Sequence, residues 1–308
     1  MMGTPTIRSG GSIARPAASG SCSGAERNHP GKEEDPRSLS NIRLIAADVD
    51  GTLLNSRKEL TAATVDAVMA VRDLGVQFTI ATGRDIRGLH GLRSLLSPGV
   101  PVITYNGAEL RREGTEELMA GTYLSEEASS QVISQGLDRG FSVIVWSRGE
   151  LFIGQPGPAS AGYSKMYGIS ELPLTETDAL SRRGVTKVIW AGTQEKIRRM
   201  EQLYTDDPIR GSVCCTSEAS YLEFMAEGVD KGSGLKTAAE LLGLRREQVM
   251  AVGDGHNDLP MLRWAGWSVA MGNAAEDVRL EADQVTLSCD ENGLAFALRS
   301  VCEALDVG

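Results

Sequence analysis

The hydrophobic pattern of the chain has two rhythms. Short apolar runs at residues 44–47, 76–81 and 100–105 end in Gly or polar residues and predict buried strands. Between the first two, Leu60, Thr64, Ala67, Val68, Val71 and Leu74 recur at spacings of three and four, the stripe of an amphipathic helix that Gly75 ends. Residues 86–96 predict a second helix. Strand, helix, strand, helix, strand is the doubly wound parallel pattern. From about residue 122 the rhythm changes. A helix at 125–139 precedes paired strands at 141–146 and 150–153, joined across Arg148-Gly149, and a Gly/Pro-rich link at 154–158. A strand at 186–191, a helix at 194–204 and strands at 213–216 and 221–225 follow. Hairpins mixed with helices predict an α+β insert with an antiparallel sheet. After Gly228 the first rhythm returns, with helices at 234–242 and 258–264 and strands at 249–252 and 268–271.

The expected organisation is therefore α/β: a doubly wound parallel-sheet (Rossmann-like) core from residues 41–120 and 226–308, interrupted by a second domain at 121–225. Residues 1–40 contain no Val, Phe, Trp or Tyr and are rich in Ser, Gly, Ala and Pro, so they read as a disordered tail. Arg8 and Arg15 without an acid before Glu26 leave an organelle transit peptide as the alternative to a plain tail.

Composition narrows the partners. With 31 basic and 41 acidic residues the formal charge is −10, which argues against a nucleic-acid or anionic-membrane surface. No apolar run approaches the roughly 18 residues of a membrane span. The five cysteines, Cys22, Cys214, Cys215, Cys289 and Cys302, are odd in number and lack a CxxC, as expected of free thiols in a reducing, cytoplasmic setting. Nothing in the sequence indicates an oligomeric state.

Four strand ends or helix starts carry polar residues that can converge. The first is Asp48-Val49-Asp50-Gly51-Thr52. Side chains two apart on a strand share a side, so Asp48 and Asp50 can face one reaction centre. The others are Thr82-Gly83-Arg84, Lys231 in Val229-Asp230-Lys231-Gly232, and Gly253-Asp254-Gly255-His256-Asn257-Asp258. Each fragment alone also fits a turn, a cap or a solvated loop. Together and in this order they point to chemistry at the carboxyl edge of the sheet, where open α/β sheets bind ligands.

These residues resemble the haloacid-dehalogenase-like phosphohydrolases, and within them the Cof-type branch with a mixed α/β cap. The four fragments match the four motifs of that family, and Asn106-Gly107-Ala108 and Val269-Ala270-Met271-Gly272-Asn273-Ala274 match segments between and after them. The resemblance covers residue 42 to the C-terminus, and Val49 is a mild variation where Leu is commoner. It implies a phosphatase of small phosphate monoesters (sugar phosphates, nucleotides or phosphorylated cofactors) that needs Mg2+, held by the Asp48 carboxylate, the Asp50 backbone carbonyl and the Asp254 carboxylate. It also implies Asp48 as nucleophile, Asp50 as acid and base, Thr82, Gly83, Lys231 and Asn257 as phosphate binders, and Asp258 behind the metal ligands. Arg84 and Asn106 become substrate candidates, and the insert becomes the cap. In the cap, Trp146, Arg148, Tyr163 and Lys165 are candidates to meet the leaving group, set against ordinary core or surface roles. His256 reads as a bystander, and Cys214-Cys215 as strand filling. The competing expectations are a mutase-like phosphoryl transferase, served by the same Asp50, and a non-catalytic binding protein that keeps the fold.

Overall fold

The structure, a computed structural model, describes residues 38–115 and 117–306; residues 1–37 of the expected tail lie outside them. A 3-10 turn at Leu39–Asn41 leads into β1 (Leu44–Ala47). All four residues of β1 are buried, as in a parallel strand covered on both faces. Helix α1 (Ala62–Asp73) starts where the Thr61 side chain accepts a hydrogen bond from the Thr64 amide, and β2 (Gln77–Ile80) then pairs parallel to β1.

The expected second helix forms, with a tighter winding than an α-helix. Ile86–Leu95 is a 3-10 helix. Its buried residues, Ile86, Leu89, Leu92 and Leu95, fall every third position, which suits a helix of three residues per turn, and Gly88 and Gly91 weaken the α alternative. Strand β3 (Pro101–Thr104) meets the β2 edge through a parallel bridge between Ala81 and Ile103. Strands β4 (Glu109–Arg112) and β5 (Leu118–Gly121) continue from it antiparallel, in a stretch where the hydrophobic pattern predicts no strand.

The cap follows. It comprises α2 (Glu126–Asp138), β6 (Ser142–Ser147), β7 (Glu150–Gly154), α3 (Tyr163–Tyr167), β8 (Glu171–Pro173) and α4 (Thr177–Arg182). It continues through β9 (Val185–Ala191), α5 (Gln194–Asp206), β10 (Ser212–Glu218) and β11 (Tyr221–Ala226). The three short elements α3, β8 and α4 lie beyond the 154–158 link, in a stretch where the sequence pattern predicts no element. The cap strands form one sheet in the order β10-β11-β9-β6-β7-β8. Its pleat separates two apolar layers. Val143, Val145, Val188, Trp190, Leu222 and Phe224 pack beneath the cap helices. Ile144, Trp146, Ile189 and Met225 face the other way, into a cluster shared with Tyr105 and Val229.

The chain returns through α6 (Lys231–Leu241), β12 (Val249–Gly253), α7 (Leu259–Trp264), β13 (Trp267–Ala270), α8 (Glu276–Leu280), β14 (Gln284–Val285) and α9 (Gly293–Asp306). The parallel core sheet runs β14-β13-β12-β1-β2. β1 lies between β12 and β2, with Leu44 opposite both Val249 and Gln77. That register brings the ends of β1, β2 and β12 to one edge. Among the described residues no helix is long and apolar enough to cross a membrane.

Candidate active site

Asp48 follows β1 directly, and its amide donates to Val252 O at 2.9 Å, so the strand pairing continues through it. Gly51 then turns the chain with φ +87°, and a Cβ there would lie 2.3 Å from Asp254 Oδ2. The position therefore suits glycine twice, for its conformation and for the close approach of the second aspartate loop. Thr52, buried, donates from Oγ1 to Asp254 Oδ1 at 2.8 Å.

Lys231 is the first residue of α6, three residues earlier than the sequence pattern starts that helix. A capping box between Asp230 and Ser233 fixes this start. The Lys231 side chain is fully buried, and Nζ donates to Asp48 Oδ1 and Asp258 Oδ1, each at 2.6 Å. Burial alone would lower the Lys231 pKa, but the Asp258 and Asp48 carboxylates hold it above its ordinary value. The other Asp258 oxygen accepts the Asp254 amide at 2.9 Å and the Gly255 amide at 2.8 Å. Asp258 thus ties the Asp254 loop to the lysine.

Asp48, Asp254 and Asp258 each offer an oxygen within 4.8 Å of the others. Burial pushes the Asp48 carboxyl up to about 7; Lys231 pulls it down, and the charges of Asp258 and Asp254 push it further up. Burial likewise lifts Asp254 to about 6, against the bond from Thr52. Three acids gathered around one ammonium lack positive charge, and their ligand set is hard oxygen. These residues fit Mg2+.

Asp50 sits at the mouth. Arg84 donates to it from Nε at 2.9 Å and Nη2 at 2.6 Å, and Lys58 from Nζ at 2.7 Å. Burial raises its pKa, but the bonds from Arg84 and Lys58 outweigh that and hold it below its ordinary value. Thr82 is buried at the end of β2 and accepts the Arg84 amide on Oγ1 at 3.2 Å. Tyr105 and Asn106, with φ of 50° and 54°, take the left-handed conformation that non-glycine residues rarely adopt. That turn aims Asn106 at Asn257, whose Nδ2 donates to Asn106 Oδ1 at 3.2 Å.

These groups open on a cavity of about 510 Å3 lined by Asp48, Asp50, Lys58, Thr82, Gly83, Arg84, Asn106, Asp254 and Asn257 of the core. Tyr163, Glu218, Tyr221 and Glu223 close it from the cap. Of the four cap residues singled out from the sequence, only Tyr163 lines it. Trp146 is buried in the cluster between cap and core, and donates to Tyr163 Oη at 3.2 Å. Arg148 is exposed and bonds Arg183 O; Lys165 is exposed and lies outside the lining. His256 is exposed, pairs with Asp277 at 2.7 Å, and lies outside the cavity lining. Cys214 and Cys215 lie in β10, and burial lifts their thiols to about 11 and about 12, unsuited to nucleophiles.

Sequence reasoning passed over several residues here. Lys58 carries no distinct signal, and Thr52 lies inside the first motif without a role of its own assigned to it. Asn273, inside a quoted motif, donates from Nδ2 to Gly51 O at 2.9 Å and Asp254 Oδ2 at 3.1 Å. Lys187 and Glu223 each interrupt a mainly apolar strand with a charge, a signal that marks the position without saying what it meets.

A family profile described as haloacid dehalogenase-like hydrolase matches residues 45–298. The chain belongs to that family. Among the hydrolases of this family, an HMP-PP phosphatase of Shigella flexneri is 30% identical over 241 residues, covering 78% of this chain and 87% of its own. The 5-amino-6-(5-phospho-D-ribitylamino)uracil phosphatase YwtE of Bacillus subtilis (strain 168) is 26% identical, covering 83% and 96%. The crystal structure of a haloacid dehalogenase-like hydrolase from Bacteroides thetaiotaomicron superposes with a TM-score of 0.74 at 28% identity, covering 84% of this chain and 99% of that one. The fold is thus a haloacid dehalogenase-like core with a cap, and the chain is a Cof-type phosphoric monoester hydrolase.

Proposed function

We propose that this hydrolase cleaves small phosphate monoesters with Mg2+ through an aspartyl-phosphate on Asp48. The observation that carries the reading is the buried triad in which Lys231 bridges Asp48 and Asp258, beside Asp254. The Asp48 and Asp254 carboxylates and the Asp50 main-chain carbonyl would hold the cation, which when bound neutralises charge between an anionic nucleophile and a dianionic ester.

A carboxylate oxygen of Asp48 attacks phosphorus and the ester P–O bond breaks; Asp50, which can take up a proton from water once Arg84 and Lys58 leave it for the substrate, gives that proton to the departing alcohol. Water then attacks the same phosphorus while Asp50 takes its proton, and inorganic phosphate leaves Asp48 free. Lys231, the Thr82 hydroxyl, the amide at Gly83 and the Asn257 side chain hold the phosphoryl oxygens where charge spreads. Arg84 reaches substrate only by leaving Asp50, and Asn106 works beside Asn257. The lidded cavity favours soluble esters such as sugar phosphates, nucleotides or phosphorylated cofactors over phosphoproteins. The free described cysteines support a reducing compartment, the cytoplasm. The elements also support a core of residues 41–120 and 226–308 around a cap of 121–225.

Hydrolysis of an aryl phosphate tests the reading. Activity is expected with Mg2+, lost to a chelator, and reduced at least about 10³-fold in Asp48→Asn. Turnover that survives this substitution unchanged would refute the mechanism.

A further inference from the structure

The alternation of the cap strands puts two charges on the sheet face turned toward the core. Lys187 shares that face with Ile189 and Ala191 on β9, and Glu223 shares it with Met225 on β11. Both are almost wholly buried, 1% and 4% exposed. Lys187 Nζ lies 3.0 and 3.1 Å from the two Glu223 oxygens, 3.1 Å from Gly83 O, and 5.7 Å from the centre of the Tyr105 ring. Glu223 in turn accepts from Asn106 Nδ2 at 3.4 Å, and Asn106 Oδ1 accepts from Asn257 Nδ2. The cap thus contacts two segments of the core edge at once, the Gly83 main chain beside Thr82 and the Asn106–Asn257 amide pair.

The direction of these bonds matters. A carboxylate only accepts, so Glu223 obliges Asn106 to turn its NH2 group toward the cap and its oxygen toward Asn257. Asn257 must then present its own NH2, and its oxygen turns back to within 2.5 Å of where a Gly255 Cβ would stand. That leaves the second N–H of the Asn257 amide, which lines the cavity, for a phosphoryl oxygen. With Asn106 reversed, the Asn257 oxygen would face an incoming anion. We propose that Lys187 and Glu223 are positioning residues, which set the orientation of the Asn106–Asn257 amides and the Gly83 carbonyl so that the phosphate site is complete only with the cap seated. The inference rests on the reading of Asn257 and Gly83 as phosphate binders.

The test compares three variants of the full chain. Lys187→Met with Glu223→Leu removes the pair without leaving a lone buried charge, so the fold persists. Its kcat/KM on an aryl phosphate is expected to fall roughly 10- to 100-fold. The inorganic phosphate needed for half of the thermal shift in Mg2+ rises in proportion, while Tm without phosphate moves little. Lys187→Met with Glu223→Gln also leaves no lone buried charge but keeps an acceptor oxygen for Asn106, so it is expected to regain part of the activity that the first variant loses. The exchange Lys187→Glu with Glu223→Lys restores an ion pair but sets a donor against Asn106, so Tm stays near the wild-type value and activity does not return. Wild-type activity and phosphate affinity in the first variant, or full activity in the exchange, would overturn the proposal by reducing the pair to a structural cross-link. A wild-type enzyme with neither turnover nor a phosphate-dependent shift would instead overturn the phosphatase reading, and this one with it.

Discussion

Thr52 is small and buried, and its one donated bond reaches the acid that the whole Asp254 loop delivers. With Asn273 on the other oxygen, it holds both Asp254 carboxylate oxygens in place, and each keeps a lone pair for a cation. Partners of this kind orient a ligand and raise its affinity for metal. Thr52→Val keeps the volume and removes the bond. The Mg2+ concentration for half-maximal activity is expected to rise about tenfold, with kcat at saturating Mg2+ much less affected. A Mg2+ titration of turnover checks it; an unchanged half-saturation point would mean that Asn273 alone orients Asp254. Asp50 presents the opposite situation, a carboxylate already satisfied by Arg84 and Lys58, with the substrate as a third claimant on the same cations.

At the scale of elements, the 3-10 helix that follows β2 is anchored by one acid. Asp85 is buried, caps the Arg87 amide at 2.9 Å, and takes a side-chain bond from Arg87 and one from Tyr105 Oη at 2.7 Å. Arg87 then reaches Gly149 O in the cap at 2.6 Å. Burial raises the Asp85 pKa, but Arg87 and Tyr105 outweigh it and hold the carboxyl below its ordinary 3.8. A depressed folded-state value means the unfolded chain binds the proton more readily. The contribution is therefore complete above about pH 4 and lost as pH falls through the folded value. Asp85→Asn should lower stability by about 1–3 kcal/mol at neutral pH and flatten the loss on acidification below about pH 4. Urea melts of both proteins across that range decide it.

The same segment shows what a sequence discloses. A repeat of three in Ile86, Leu89, Leu92 and Leu95 is close enough to 3.6 to read as α-helix, so the element was legible and its type was not. The parallel strands and the acids at their ends were legible because burial on both faces leaves continuous apolar runs. β4 was not, because Glu109-Leu110-Arg111-Arg112 reads as solvated loop, although Glu109 is buried against Arg111 and Thr186. Lys187 and Glu223 stayed hidden for a related reason. Their meaning lies in a partner strand and in the opposite domain, and periodicity within one strand carries neither.

For the whole molecule, the proposed Mg2+ site would couple metal binding to folding. Adding Mg2+ should raise Tm in a concentration-dependent way, since binding to the native form alone stabilises it by mass action. Asp254→Asn is expected to blunt that rise, and an equal rise in the variant would place the ion elsewhere. Another consequence concerns time. β1 pairs Leu44 with Val249, so this inner strand of the core sheet waits for a partner more than 200 residues downstream. During synthesis the cap strands leave the ribosome before β12 does. Until then one side of β1 has open main-chain donors and acceptors, the kind of edge on which chains adhere to one another. A nascent chain stalled after the cap is therefore the form of this protein most exposed to aggregation and most in need of a chaperone.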